Sequence, residues 1–364
     1  MSARIAIRGI GVVGGFGTGV ETLRDALAGP PAGSGAAASS EDSGGGLSCH
    51  RADTAVLDGF VDRKALRRMD TISRLAILGA CLALRDAGVD RPDERMGVAL
   101  STGYGPSGTT LAFLDSFIDS GDACSSPTLF SSSVHNAPAA NLSTLLGVTG
   151  PNLSISQFEV SASSALLTAL LWLEEGRVDR VLVGGVDEYC DVLGYCWKRF
   201  FSESSTAPCL PLDTRRQTAR PGEGCAFLLL ERLSAGRRCA GVIEAVHLGR
   251  AGGAAPPIPA DRLLVLGTDG HRRCAGAYAR LVPPGSAVTS FGHLWGSFPT
   301  TTAFDAAAAA VVLQSGQTPA PPPGAAHPET WRVPTAGEPL PAAGIGLLRA
   351  SASGEYALTL MSKA

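Results

Sequence analysis

The chain has 364 residues, 45% hydrophobic and 17% charged, with 30 basic against 33 acidic side chains and a formal net charge of -3. That length supports a large core without metal or disulfide staples, and the charge balance lacks the broad cationic surface of a nucleic-acid binder, so no nucleic-acid partner is expected. Nine cysteines, scattered from Cys49 to Cys274 without a C-x-x-C pair, fit reduced thiols in a cytoplasmic protein. The N-terminus lacks the profile of a signal peptide, and no apolar run reaches the roughly 18–20 residues of a membrane span, because Glu174 and Glu175 interrupt the longest.

Short apolar runs alternate with helical stretches, the pattern of an α/β protein with mainly buried strands. RIAIR at residues 4–8 reads as a strand and residues 20–27 as a helix. Residues 29–47, rich in Gly, Ala and Ser without periodicity, read as a flexible excursion. Ile72, Leu75, Ala76, Leu78, Gly79 and Leu82 fall near a 3.6-residue period, predicting a helix over 71–87 stopped by Gly88. A strand over 96–101 and a helix over 109–118 follow, then a strand end at 154–155. Residues 161–175 form an apolar helix closed by Gly176, and 178–185 a buried strand. The same unit recurs as a strand over 287–290, a turn through Gly292 and Gly296, and a helix over 301–314 before Gly316. The two helices, SASSALLTALLWLEEG and TTAFDAAAAAVVLQSG, have similar length and both end in Gly, which points to an internal duplication. The Pro-, Ala- and Gly-rich residues 316–341 read as a surface loop, and strands over 344–349 and 356–361 close the chain.

Gly9, Gly11 and Gly14 match G-x-G-x-x-G after a strand. A dinucleotide site also needs a second strand ending in an acid about 20 residues on, and none follows. The glycines read instead as permitting a tight strand-to-loop turn. Neither a cofactor nor a metal is expected.

RIAIRGIGVVGGFGTGVETLRDALAG, RRMDTISRLAILGACLALRDAGVD, PTLFSSSVHNAPAANLSTLLGVTGPNLSIS, PLDTRRQTARPGEGCAFLLLE and SFGHLWGS follow one another along nearly the whole chain. Together they resemble, in order, motifs of the β-ketoacyl synthases, the condensing enzymes of fatty-acid and polyketide assembly. The resemblance implies an α/β thiolase-type fold, with two similar αβαβα halves (residues 1–235 and 236–364) forming a five-layered subunit. It also implies a dimer and acyl-carrier-protein substrates.

Such an enzyme needs a nucleophilic Cys at a strand-to-helix elbow, where the helix N-terminus and backbone N–H groups favour thiolate and oxyanion. Two His partners polarise the malonyl group. Counted without gaps from Gly150-Pro151 to Gly176, the Cys position falls on Glu159, whose carboxylate is a poor acyl acceptor. Leu266 falls where the first His belongs. Val288 replaces the Lys five residues before His293, and SASGEY stands for a second oxyanion loop. His271, beside Arg272 and Arg273, reads as a solvated surface residue. Loss of several parts of one catalytic unit removes its chemistry, because such parts act together. Glu159 reads as a structural acid favoured by a helix dipole worth about 0.3–1 kcal/mol, as an interface acid, or as a decarboxylation base with His293. A satisfied core histidine is the plainer reading of His293, and a structural hydrogen-bonder that of His135.

Within the resembled family, the class that lacks the nucleophile by design is the chain length factor of type II polyketide systems. It pairs with a Cys-bearing ketosynthase and shapes their shared acyl cavity. That class carries Gln where this chain has Glu159. By the same counting, Tyr104 and Leu129 line such a cavity, and Phe113 and Phe117, four apart on one helix face, are candidate gates. Val134, His135, Asn136 and Pro138 border the dimer seam. The SSSVHNAPA segment looks like the ketosynthase-like subunits of aryl-polyene systems. The alternatives are a stand-alone decarboxylase or acyltransferase using Glu159 and His293, and a homodimeric acyl-binding scaffold. The chain is also short for the resembled family, with the shortening expected around Leu266 and the C-terminal loop.

Overall fold

The computed structural model describes residues 4–29, 40–41, 48–67, 69–121, 125–201, 208–250, 252–253, 256–324 and 326–364. Most of the expected excursion at 29–47, and Cys124, lie outside them. The N-terminal elements are β1 (Ile5–Gly14), β2 (Gly17–Thr18), α1 (Val20–Ala28), β3 (Ser40–Glu41), β4 (Ser48–Cys49), α2 (Arg63–Leu66), α3 (Thr71–Asp86) and β5 (Met96–Ser101). Next come α4 (Ser107–Ser120), α5 (Pro127–Ser132), α6 (Ala137–Leu146), β6 (Asn152–Ile155), α7 (Ser161–Glu174), β7 (Arg180–Asp187), α8 (Asp191–Phe200) and β8 (Gly224–Arg232). The remainder are β9 (Gly241–Arg250), β10 (Leu263–Leu266), α9 (Arg272–Leu281), β11 (Val288–Thr289), α10 (Gly292–Trp295), α11 (Thr301–Ser315), β12 (Ile345–Ala350) and β13 (Glu355–Ser362).

The duplication is written into the strand order. One half runs β6-β5-β7-β8-β1 and the other β11-β10-β12-β13-β9, so both place their own strands in the order third, second, fourth, fifth, first. In each half the first three strands of that order are parallel and the last two antiparallel. The halves meet where Ile5, Ala6 and Ile7 of β1 pair with Ile243, Val242 and Gly241 of β9.

Strand residues alternate between two cores, as a two-residue period requires. Val181 and Val183 of β7 face the central core, whereas Leu182 and Val186 face an outer one. In the second half Leu263 and Val265 point inward, and Leu264 and Leu266 point to the opposite outer core. Helices α7 and α11 lie between the halves and touch strands of both; α3 covers β1, β7 and β8, and α9 covers β12. That gives the five layers of a thiolase-type α/β fold. Central position explains composition: α11 is buried from Thr301 through Leu313, which calls for small and apolar side chains all round. At the start of α3, Asp70 of the RRMD motif accepts a bond from the Ser73 N–H at 3.0 Å, capping the helix.

Three expectations are corrected. Gly9 and Gly11 are not at a turn but inside β1, which continues to Gly14; only Gly14 borders the expected turn, pairing with Gly17 across residues 15–16. A Cβ on Gly9 would lie 2.1 Å from the Ala83 carbonyl oxygen, and one on Gly11 1.9 Å from that of Gly79. Gly9 and Gly11 therefore let α3 settle directly onto the strand. Residues 316–341 are more than a surface loop: Trp331 is buried in the outer core, and the Thr318 hydroxyl donates to the Thr335 carbonyl. Helix α4 begins at Ser107 and ends at Ser120, longer at both ends than the periodicity implied.

Candidate functional site

In sheets with parallel strands, ligands bind beyond the strands' C-terminal ends. Here those ends are followed by the 102–105 loop, a 3-10 turn at Phe158–Val160 leading into α7, the 267–271 loop, and α10. Asp187 at the end of β7 organises one side. One carboxylate oxygen accepts bonds from the Thr102 hydroxyl at 2.8 Å, Gly103 N–H at 2.9 Å and Tyr104 N–H at 3.0 Å. The other accepts from the Thr300 hydroxyl at 2.9 Å and N–H at 3.2 Å. A single carboxylate thus holds the β5 loop against the start of α11. Burial raises the Asp187 carboxyl, while these donors pull it back.

The turn into α7 holds Glu159, half-buried, next to Phe158, whose φ of 46° is left-handed and rare for a side chain of that size. Behind the turn lies a buried charge centre. Arg349 at the end of β12 donates through Nη1 to the Gly267 carbonyl at 2.6 Å and the Thr301 hydroxyl at 2.9 Å. Its Nη2 lies 3.9 Å from Asp269 Oδ2. Asp269 accepts the Ser297 hydroxyl at 2.6 Å. Burial would raise the Asp269 carboxyl, but the His271 and Arg349 charges and the Ser297 bond hold it below its ordinary value. Burial would likewise deprotonate Arg349, yet Tyr278, Asp269, Glu159 and Asp305 hold its proton more tightly than usual. Asp305, on α11, is pushed up to about 7 by burial, against the opposing pull of Arg349. The centre is crowded: a Cβ on Gly267 would sit 2.5 Å from Arg349 Cδ.

The residues singled out by sequence divide among three places. Tyr104, half-buried, packs on the central core; burial and then Asp187 raise its hydroxyl, and Glu159 adds to this. Leu266 and Val288 are buried in the outer core of the second half. His293 lies on α10 with its Nδ1 enclosed and, among the described residues, without a hydrogen-bond partner, so it is not the satisfied core histidine expected. Burial and then the His50 charge lower it to about 4, so it is neutral near pH 7. His50 is lowered to about 4 in turn, by burial and then Arg220. The Glu159 charge is felt at Arg349, Tyr104 and Cys274, whereas the charge that acts on His293 is that of His50.

On the outer edge of the first half, the Phe113 ring lies 5.3 Å from that of Phe130, Phe117 is exposed, and Leu129 on α5 is half-buried. Val134, His135 and Asn136 are exposed, while Pro138 beneath them in α6 is buried. The His135 ring packs over Gly105, where a Cβ would lie 2.8 Å from it. Leu114, Phe117 and Ile118 on α4, Phe130 on α5, Val134, Leu153 on β6, and Phe158 are all exposed apolar side chains. Strand β6 ends the sheet, so its outer edge is unpaired among the described residues.

His271 is half-buried and not a free surface side chain. Its ring lies 5.0 Å from Trp197 and 4.7 Å from Phe201, and its Nδ1 is 3.0 Å from Gln217 Nε2. The eight described cysteines are free thiols. Cys274, on α9, is within electrostatic range of Glu159. Burial, then Asp269, pushes its thiol up to about 12, so it is no thiolate near pH 7. Sequence reading missed Arg349, Asp269 and Asp305. The available signal was solitary charge: Arg349 is the one charged residue in the strand IGLLRA, and Asp305 the one in TTAFDAAAAAVVLQS. Among the described residues no group of three or more His, Cys, Asp or Glu is arranged to hold a metal, and no helix is long and apolar enough to cross a membrane.

Residues 2–236 match the family model of the β-ketoacyl synthase N-terminal domain. The chain is 26% identical over 268 residues to the chloroplastic 3-oxoacyl-[acyl-carrier-protein] synthase I of Hordeum vulgare, covering 68% of this chain and 57% of that protein. It is 30% identical over 183 residues to nodulation protein E of Rhizobium meliloti, covering 49% of this chain and 45% of that protein. The chain thus spans about half the length of these curated relatives. Over the full length of both chains it superposes on the ishigamide ketosynthase/chain length factor with a TM-score of 0.81 at 18% identity. It superposes equally completely on a β-ketoacyl synthase from Burkholderia phymatum at 0.80 and 20% identity. A further match, at 0.78 and 16% identity, is a type II PKS acyl-carrier protein in complex with its ketosynthase bound to the hexaketide.

Proposed function

The chain belongs to the β-ketoacyl synthase family, and from that premise we propose that it is a non-catalytic, chain-length-factor-like subunit. In this reading it pairs with a Cys-bearing ketosynthase and shapes the acyl cavity during elongation from malonyl-acyl-carrier protein in type II polyketide or fatty-acid-like synthesis. The observation that carries the reading is Glu159 at the head of α7, backed by a closed Arg349–Asp269 charge centre. A carboxylate there is a poor acyl acceptor, because attack on a thioester would give a higher-energy mixed anhydride and not a stable thioester, and Cys274 in the vicinity is held as a thiol.

Glu159, Leu266, Val288 and His293 are the degenerate catalytic positions of this proposal. Tyr104, Phe113, Phe117 and Leu129 would line the cavity, and Val134, His135, Asn136 and Pro138 would border the seam. The exposed apolar side chains from Leu114 to Phe158 support a face that is covered by another subunit. The acyl carrier protein would reach the pair through the complex, in the cytoplasm. A division into halves at residues 235/236 belongs to the same proposal. The alternative, decarboxylation or acyl transfer by Glu159 with His293, draws less support, since the Glu159 charge is felt at Arg349 whereas the charge felt at His293 is that of His50.

Co-expression with a Cys-bearing ketosynthase from the same organism tests the proposal. The two should co-purify as a 1:1 complex, and mass spectrometry after acyl loading should find the adduct on the partner alone. A stable homodimer that ignores the ketosynthase, or an acyl adduct on this chain, overturns it.

A further inference from the structure

At the opposite end of the β1–β7 strands from Glu159, a cavity of about 270 Å³ opens between α1, the C-terminus of α3, the start of β1 and the β8–β9 connection. Arg8, Arg24, Arg237 and Arg238 line it, against the carboxylates of Glu21 and Asp86. Ile10, Val20, Ala87 and Ala240 give it a small apolar floor. Nothing in the proposed chain-length role uses this place.

One of its arginines is built in. Arg8 is 8% exposed, and its three donors are held by Glu231 at 3.2 Å, the Arg238 carbonyl at 2.6 Å and the Ser234 hydroxyl at 2.9 Å. Arg237 reaches the same Glu231 oxygen at 2.6 Å, and Arg180 lies 3.2 Å from the other oxygen. One carboxylate therefore serves three guanidinium groups. Asp86 is occupied by the Ile10 N–H at 2.9 Å, and Glu21 pairs with Arg24. Exposed Arg238 has no ion-pair partner among the described residues. In a chain whose net charge is -3, positive charge converges here without enough acid to meet it.

We propose that this cavity is a binding site for a small phosphate monoester. Guanidinium forks match phosphate oxygens in pairs of parallel hydrogen bonds. Arg238 would supply the fork and Arg24 would join it by exchanging Glu21 for the phosphate, with Arg8 and Arg237 fixing the field behind it, while the apolar floor takes a short carbon skeleton. The volume lies under the roughly 300–1,000 Å³ of drug-sized pockets, which restricts the ligand to a compact molecule.

The test is calorimetric titration of the full chain with glycerol phosphate at constant ionic strength, alongside inorganic phosphate, sulfate and neutral glycerol. Saturable binding of glycerol phosphate is expected, weaker binding of inorganic phosphate, and none of glycerol. Arg238→Ala and Arg24→Ala, both at exposed positions that do not endanger folding, should each weaken glycerol phosphate binding at least tenfold. Arg250→Ala, distant from the cavity, should leave it unchanged. Absence of binding at about 10 mM ligand, equal response to sulfate and glycerol phosphate, or undiminished binding by both cavity variants overturns the site.

Discussion

Arg349 Nη1 lies 2.9 Å from Thr301 Oγ1, tying the end of β12 to the first turn of α11 across 48 residues of chain. The same nitrogen holds the Gly267 carbonyl at the end of β10. Three elements of the second half are thus fastened by one buried cation, at the end of the sheet where ligands bind in folds of this kind.

Arg349→Met should cost about 3–5 kcal/mol of stability, because it leaves Asp269 buried without its cation. Arg349→Lys should recover little, since a single ammonium lacks the planar fork that meets Gly267, Thr301 and Asp269 together. Equilibrium urea unfolding measures both. A Met variant as stable as the parent would show that the centre contributes nothing to the fold.

The pH dependence of stability has two opposing parts. Asp305 is raised from 3.8 to about 7, so the folded chain binds more protons than the unfolded one in that interval. Its contribution is present below about 4 and is lost as pH rises toward 7. His293 and His50 are lowered from 6.5 to about 4; their contribution is present above 6.5 and is lost as pH falls toward 4. Arg349 and Asp269 are the charges acting on Asp305. Asp305→Asn should therefore make stability climb more steeply from pH 4 to 7, and His293→Gln should flatten it. Urea midpoints at unit pH intervals read the slopes. Parallel curves for Asp305→Asn and the parent would contradict the assignment.

Gly11→Ala should destabilise by about 1–3 kcal/mol or more, because its Cβ would meet backbone and α3 would have to lift from β1. Gly59→Ala is the control: nothing lies within 4 Å of the added atom, and a change within about ±0.5 kcal/mol is expected. Both are read from urea midpoints, and equal effects would mean the close approach is not what the glycine protects.

Phe158→Lys and Leu153→Lys, at side chains 60% and 41% exposed, should leave folding of the isolated chain intact and abolish co-purification with the ketosynthase. Size-exclusion chromatography of the co-expressed pair checks this. Retained complexes would move the seam away from β6 and the turn before α7.

Much of the architecture was legible because burial imposes local patterns. The helix over Thr71–Asp86 and the strand over Met96–Ser101 carry their periods openly, and the matched helices α7 and α11 betrayed the duplication. The glycines of β1 were visible but their purpose was not. The atoms they make room for belong to Gly79 and Ala83, on a helix some 70 residues away. His271 misled for a similar reason: its flanking arginines look like surface, while Trp197 and Phe201 arrive from another element to enclose it.

By itself the sequence determined the strongly periodic strands and helices of both halves, the two repeated units, and a Glu in the turn ahead of α7, while β8, β9 and β10 went unread. These follow from side-chain periodicity and residue identity, which are local. Only the tertiary structure decided that Arg349, Asp269 and Asp305 share one buried centre, and that Arg8, Arg24, Arg237 and Arg238 line one cavity. A charge in an apolar run announces that a partner must exist, because an unpaired buried ion is too costly. Which partner it is depends on how the strands are ordered in space, and no local pattern records that.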